Sequence, residues 1–289
     1  MLRKGGSKLL VESKNLDGKN FVNKCQVFCV KNLTFVYLYS EIETFMIVAN
    51  RIREKIDAFQ AGYVFTLSDF GLDASCDLAL AKLLSRMTAA GEIKRVSKGK
   101  YYKPKQTVFG QLKPSYDELV KDFLEKDGEM IGYLSGPIAF SRMGLTTQIS
   151  SNIIIGSNKY RRPVERAGYK VSFLLQENPI NNDSVEILQI LDAIKLIREI
   201  PGTTPADACA VIIELVKSLD ENRSRELEQF SLKYTSYVRA MVGAILEYLG
   251  RPADAVRRSI NGVSSYKLPI PESVLPTKNN WNINEPTRK

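Results

Sequence analysis

The chain contains no histidine. That absence removes imidazole general bases, Ser-His-Asp and Cys-His nucleophile systems and histidine metal sites together. Cysteine is scarce: Cys25, Cys29, Cys76 and Cys209 are scattered over 289 residues, which is not a disulfide framework. Cys25 and Cys29 fit one helical face, but no second pair completes a zinc site. Free thiols in a reducing cytoplasm are expected. Long apolar runs are missing too. The longest candidate, 27–48, is interrupted by Lys31, Asn32, Glu41 and Glu43, which rules it out as a bilayer span. Arg3 and Lys4 are not followed by the apolar stretch of a secretory leader. There is no phosphate loop ending in Gly-Lys-Ser/Thr and no dinucleotide fingerprint. Glu92-Ile93-Lys94 has the spelling of a metal-dependent nuclease strand, but no aspartate precedes it in the required place. These absences predict a cytoplasmic protein that is not an enzyme, has no cofactor or metal, and stays off the membrane.

What is present is positive charge. Lysine and arginine number 41 against 32 acidic residues, a formal charge of +9. An excess of this size draws the chain toward phosphate backbones or anionic surfaces, so the placement of the charge decides its meaning. The length suffices for two modest domains.

Residues 1–45 show no clear period and read as an N-terminal extension, with Met46 as the native start. From there the order is legible. Ile47, Ile52, Ile56 and Phe59 have helical spacing, and Gly62 ends that helix. Thr66 with Asp69 forms a capping box, and Phe65 with Phe70 takes the hydrophobic-staple positions. A third helix, capped at Asp73 or Ser75 and stopped at Gly91, carries Cys76, Leu80, Leu83, Leu84 and Met87 on one face. Its other face carries Ser75, Leu78, Lys82, Ser85 and Arg86. Two short β runs, 92–96 and 101–103, flank a turn containing Gly99. Three helices and a hairpin predict a winged helix-turn-helix over 46–106.

Cations concentrate on that hairpin: Lys94, Arg95, Lys98, Lys100, Lys103 and Lys105 lie within 93–105 without one acidic residue, interleaved with Tyr101 and Tyr102. On a wing beside a recognition helix, such cations meet phosphates and release counterions. The predicted DNA-binding residues are therefore Ser75, Lys82, Ser85, Arg86, Lys94, Arg95, Lys98, Lys100, Tyr101 and Lys103. Arginine and lysine suit guanine edges and serine is permissive. Leu78 fits either a thymine methyl or packing on the first helix. A second basic loop, Lys159, Tyr160, Arg161 and Arg162 with Arg166 nearby, fits either a secondary DNA contact or a surface turn kept soluble by charge.

The rest predicts an α/β domain over 107–218: a helix over 114–126, a strand at 130–133, a helix from Ser135-Gly136-Pro137 to Gly144, and strands at 153–155 and 169–175. Helices at 185–197 and from Thr204-Pro205-Ala206-Asp207 follow. A C-terminal helical region, 219–260, holds the apolar stripe Tyr234, Val238, Met241, Val242, Ile245 and Leu249. Residues 261–289, rich in proline and asparagine, read as an extended or disordered tail. The predicted class is thus α+β: an N-terminal winged helix-turn-helix, a small α/β domain and C-terminal helices.

The run Leu80-Ala81-Lys82-Leu83, Ala90 to Val96 and Gly99 to Pro104, followed by Tyr133-Leu134-Ser135-Gly136, Ala139 and Gly144-Leu145-Thr146-Thr147-Gln148, resembles the AbiEi-type antitoxins of bacterial type IV toxin–antitoxin systems. The resemblance covers roughly 46–215. It implies an autorepressor that binds inverted repeats in double-stranded DNA at its own promoter, as a homodimer on DNA. It also implies an antitoxin that counters a neighbouring nucleotidyltransferase toxin without a stable complex. It offers no catalytic residues. The alternative reading is a standalone winged-helix regulator with a ligand-sensing α/β domain.

Overall fold

The structure, a computed structural model, describes residues 12–14, 20–22, 49–73 and 76–286. The architecture is α+β, and the chain divides into two compact units between Pro114 and Ser115.

In the first unit, β1 (Glu12–Lys14) and β2 (Asn20–Val22) form an antiparallel hairpin with Ser13 opposite Phe21. The proposed start at Met46 lies outside the described residues. Helix α1, residues 49–58, turns Ala49, Ile52 and Ile56 inward at three- and four-residue spacing. After β3 (Val64–Phe65), a short 3₁₀ helix, Leu67–Phe70, is held at its start by Asp69. Its carboxylate accepts from the Thr66 backbone N–H at 2.6 Å and the Thr66 hydroxyl at 2.8 Å. Phe65 and Phe70 meet edge to face, 5.8 Å between centroids, as the staple positions predict. Helix α2 (Asp77–Ala89) buries Leu80, Leu83, Leu84 and Met87. Strands β4 (Lys94–Ser97) and β5 (Lys100–Tyr102) follow, and the sheet order β3-β5-β4 puts β5 in the middle.

A second hairpin, β6 (Lys105–Thr107) with β7 (Gly110–Leu112), completes this unit. The sequence reading ended the domain at residue 106 and missed it, because Lys-Gln-Thr and Gly-Gln-Leu carry neither an aromatic strand pattern nor an Asn-Gly turn.

The second unit is built on the sheet β10-β11-β13-β12: β10 (Gly132–Ser135), β11 (Asn152–Ser157), β12 (Val164–Arg166) and β13 (Tyr169–Leu175). The central pair β11 and β13 is parallel, with Ile153 opposite Val171 and Ile155 opposite Phe173. Helix α3 (Tyr116–Leu124) is capped by Ser115, whose hydroxyl accepts from the Glu118 N–H at 3.2 Å. It ends short of the predicted residue 126, since Glu125–Lys126 pairs as β8 with β9, Glu129–Met130. Helices α4 (Gly136–Arg142), α5 (Val185–Lys195), α6 (Pro205–Ser218), α7 (Glu221–Ser231), α8 (Ser236–Tyr248) and α9 (Asp254–Ser259) contribute to one continuous apolar core. Residues 219–260 therefore share a core with the region before them. Arg251 ties the end of α6, donating to the carbonyls of Val216, Lys217 and Leu219 at 2.6, 2.9 and 2.8 Å. The carbonyls at a helix C-terminus lack their usual partners four residues on, and Arg251 supplies donors to them.

The stretch after residue 261 corrects the sequence reading. It is not a loose tail. Leu268, Ile270, Leu275, Trp281 and Ile283 are buried in the same core. A 3₁₀ helix (Pro276–Trp281) packs along α8, and β14 (Tyr266–Lys267) pairs in parallel with β15 (Ile283–Asn284). The Trp281 indole N–H donates to Glu247 at 2.7 Å, and the Arg257 guanidinium lies 3.7 Å from the centre of its ring. Lys278, almost fully buried, donates to the Ile270 carbonyl at 2.6 Å and pairs with Glu285 at 2.8 Å.

Candidate nucleic-acid interface

Helix α2 separates its two faces cleanly. Leu80, Leu83, Leu84 and Met87 enter the core, while Lys82, Ser85 and Arg86 are exposed together with Leu78, which is 78% exposed. Of the two sequence readings of Leu78, packing on α1 is therefore excluded. Lys82 and Arg86 stand one helical turn apart and project from the same stripe. Ser75 lies outside the described residues.

The β4–β5 hairpin carries the denser charge. Lys94, Arg95 and Lys98 are exposed and Lys100 is half-buried. The pairing shifts between Arg95 and Ser97, leaving Val96 as an extra residue. This bulge bends the strand. It buries Val96 while Lys94 and Arg95 both face solvent. Arg95 Nε donates to the Ser97 carbonyl at 3.1 Å, which steadies the guanidinium beside the turn.

Two of the predicted contact residues are already engaged within the unit. Tyr101 is 8% exposed and stacks on Phe65, with centroids 6.2 Å apart. Tyr101 and Tyr102 are both buried, and neither interleaves with the cations on a free surface. Lys103 is engaged with Asp57 of α1, Nζ to Oδ1 2.7 Å, so much of its charge is already answered. The positive field is otherwise unopposed in sequence, as no aspartate or glutamate occurs between Glu92 and Asp117.

Lys159, Arg161 and Arg162 belong to the other unit, on the turn between β11 and β12. Lys159 and Arg162 are exposed there and Tyr160 is 82% exposed. Arg161 lies 5.4 Å from the Phe123 ring centre. Arg166, counted with this cluster from sequence, is instead buried. It donates to the Leu119 carbonyl at 2.9 Å, makes a two-pronged pair with Asp122, and stacks 4.0 Å from the Phe123 ring centre. It joins α3 to the sheet.

Sequence reasoning missed one polar cluster altogether. Asp192, fully buried on α5, accepts from Tyr133 and Ser135 at 2.7 Å each and from Tyr234 at 2.9 Å. Gln176 donates to both tyrosine hydroxyls, at 3.1 and 2.7 Å. Tyr234 lies two residues before α8; its hydroxyl serves this cluster, while its ring packs against the same apolar core as the rest of the predicted stripe. Burial pushes the Asp192 carboxyl above its ordinary range, against the three hydroxyl donors and the Lys195 charge, which pull it down. Burial and then the Asp192 charge push Tyr133 and Tyr234 up, so both hydroxyls stay protonated as donors. The signal available from sequence was a lone acid inside the apolar run 187–194, with no indication of its partners.

Of the cysteines, Cys209 is a buried free thiol, and burial pushes it up to about 12. Cys25 and Cys29 lie outside the described residues. Among the described residues, no cluster of three or more cysteine or acidic side chains is placed to hold a metal ion, and no helix is long and apolar enough to cross a membrane.

The motif that carried the family resemblance has a local structural role. Gly144 ends α4 in the left-handed region and Leu145 is buried. The Thr146 hydroxyl donates to the Pro201 carbonyl at 2.5 Å and accepts from the Gln148 N–H at 3.1 Å. The segment thus ties the end of α4 to the loop before α6.

No curated protein matches the chain. Among solved structures, the crystal structure of the RV2827C protein from Mycobacterium tuberculosis is similar, at 15% identity and a TM-score of 0.52, over 75% of this chain and 83% of that one. At this identity the likeness is one of fold. A family model matches residues 51–220, more than half of the sequence and on both sides of the Pro114–Ser115 boundary; the chain belongs to this family of unknown function, DUF6088.

Proposed function

We propose that the first unit is a winged helix that binds double-stranded DNA, and that the chain is a transcriptional autorepressor and antitoxin. One observation carries the DNA-binding reading: the exposed face of α2, with Lys82, Ser85 and Arg86, precedes a hairpin whose exposed cations lie in an acid-free stretch of chain. In a winged helix, α2 enters the major groove, where Arg86 and Lys82 reach base edges. Lys94, Arg95 and Lys98 meet the phosphates and set the register. Lys100 adds to that field, and Lys103 contributes less because Asp57 holds it. Lys159, Arg161 and Arg162 provide a secondary phosphate contact from the second unit.

The antitoxin half rests on the resemblance to the AbiEi-type family. The second unit, with its own core, is large enough to carry a function separate from repression.

A promoter–reporter fusion tests repression. Wild type lowers expression from the chain's own promoter, and Lys82→Ala with Arg86→Ala restores it. Unchanged expression with wild type present contradicts autorepression. Co-expression with the nucleotidyltransferase encoded next to it, from an unrelated promoter, tests the other half. Growth rescue by the Lys94→Ala, Lys98→Ala variant supports separate functions. No rescue by soluble wild type removes the antitoxin role.

A further inference from the structure

Hairpin β6–β7 exposes what soluble proteins usually hide. At its tip Val108 is 94% and Phe109 is 98% exposed, and Leu112 is 51% exposed near its base. A two-stranded hairpin is marginal by itself, and a fully solvated phenylalanine at its end adds nothing to its stability. The tip is nonetheless held in one shape. The Thr107 hydroxyl donates to the Gly110 carbonyl at 2.7 Å and accepts from the Phe109 N–H at 3.3 Å. Gly110 takes φ +105°, a conformation that closes the turn around two bulky residues and that a side chain resists. Phe109 is thus presented on a fixed support.

The flanks favour one partner. Gln106 and Gln111 are directly opposed across the strands and both exposed. Their amides can donate and accept at once. Lys105 and Lys113 stand at the base of the hairpin, within the acid-free stretch from Glu92 to Asp117. Amides, cations and an apolar wedge together are the combination that reads and opens a minor groove, where glutamine meets the acceptors of A·T pairs and an aromatic ring enters a base step.

We infer that β6–β7 is a second wing that enters the DNA minor groove and sets the Phe109 ring against a base step, bending the duplex. This rests on the DNA-binding reading of the first unit and adds a contact that α2 and β4–β5 do not supply. Glutamines and lysines also fit a protein surface, and lysines with an apolar tip fit an anionic bilayer, so both partners enter the test.

The test uses the full chain with a duplex from its own promoter. Anisotropy gives affinity, energy transfer between end labels gives bending, and a fluorescent adenine analogue reports unstacking. The wild type bends the duplex and brightens the analogue. Phe109→Ala binds about tenfold more weakly, the scale of one lost ring–base stack, and loses both signals. Its salt dependence is unchanged, since no charge has been removed. Phe109→Trp restores the bend. A Phe109→Ala protein that binds and bends like wild type overturns the second wing and leaves DNA binding standing. So does a Phe109 effect confined to phosphatidylserine vesicles or to self-association. Wild type that binds no duplex at all overturns the DNA reading and the wing together.

Discussion

A carboxylate taken out of water costs several kcal/mol unless its lone pairs are filled. Asp192 fills them with the hydroxyls of Tyr133, Ser135 and Tyr234, the first two from β10 and the third from two residues before α8. Replacement by leucine leaves three buried hydroxyls without their acceptor, and Asp192→Leu should cost roughly 3–5 kcal/mol. Trp281 is the single tryptophan and is buried in this unit, so its fluorescence during urea unfolding measures the loss directly. The pH dependence has a definite sign. The folded carboxyl titrates above the unfolded value of about 3.9, so the fold favours the protonated form. The stability it contributes is complete below that value and is lost as pH rises through the raised folded value. Asp192→Asn cannot titrate, so wild-type stability relative to that variant should fall across this window. A constant difference, or one that grows with pH, would show that the three hydroxyls outweigh burial and hold the ionised form. In sequence only Asp192 itself stood out, as an acid among apolar residues; its partners did not. Tyr133, Gln176, Asp192 and Tyr234 are far apart along the chain and are brought together by sheet register and helix packing, which no local pattern encodes.

At the scale of elements, what could be read in sequence was whatever obeys a short period or a cap. The α2 face, the Thr66–Asp69 cap, the Phe65–Phe70 contact and the strand 169–175 all follow from residues within a few positions of one another. The C-terminal segment failed because it has no period. Its order comes from single side chains docking into α8, above all Trp281 against Gly243. A methyl group placed on Gly243 would come within 2.1 Å of the indole. Gly243→Ala must therefore displace Trp281 or shift α8, and should destabilise the protein by at least about 1–3 kcal/mol, the range of overpacked cores. A red-shifted emission and a lower urea midpoint are the expected readings. Wild-type emission and midpoint would mean that the segment does not seat there. Tyr101 was hidden for a related reason: alternation along a hairpin does not say which face of the sheet packs on Phe65 and the core.

For the whole molecule, the two units hold different kinds of polar group. The first unit exposes Lys82 and Arg86 on α2 and Lys94, Arg95 and Lys98 on β4 and the turn after it. In the second unit, buried Arg166 pairs with the partly exposed Asp122, and buried Lys278 with the exposed Glu285. Base reading and phosphate contact should separate by mutation. Arg86→Ala should lower the preference for the promoter over random duplex by roughly 1–3 kcal/mol if it reads a guanine, in a competition assay at fixed salt. An unchanged preference would take Arg86 off the base edges. The most direct test of the central claim is the salt dependence of duplex binding by the full chain and by Lys94→Ala with Lys98→Ala. The account expects the logarithm of the binding constant to fall linearly with the logarithm of salt concentration. It expects the double variant to lower the magnitude of that slope by about two units, near one for each lost phosphate contact. Equal slopes, or no duplex binding even at low salt, would contradict it.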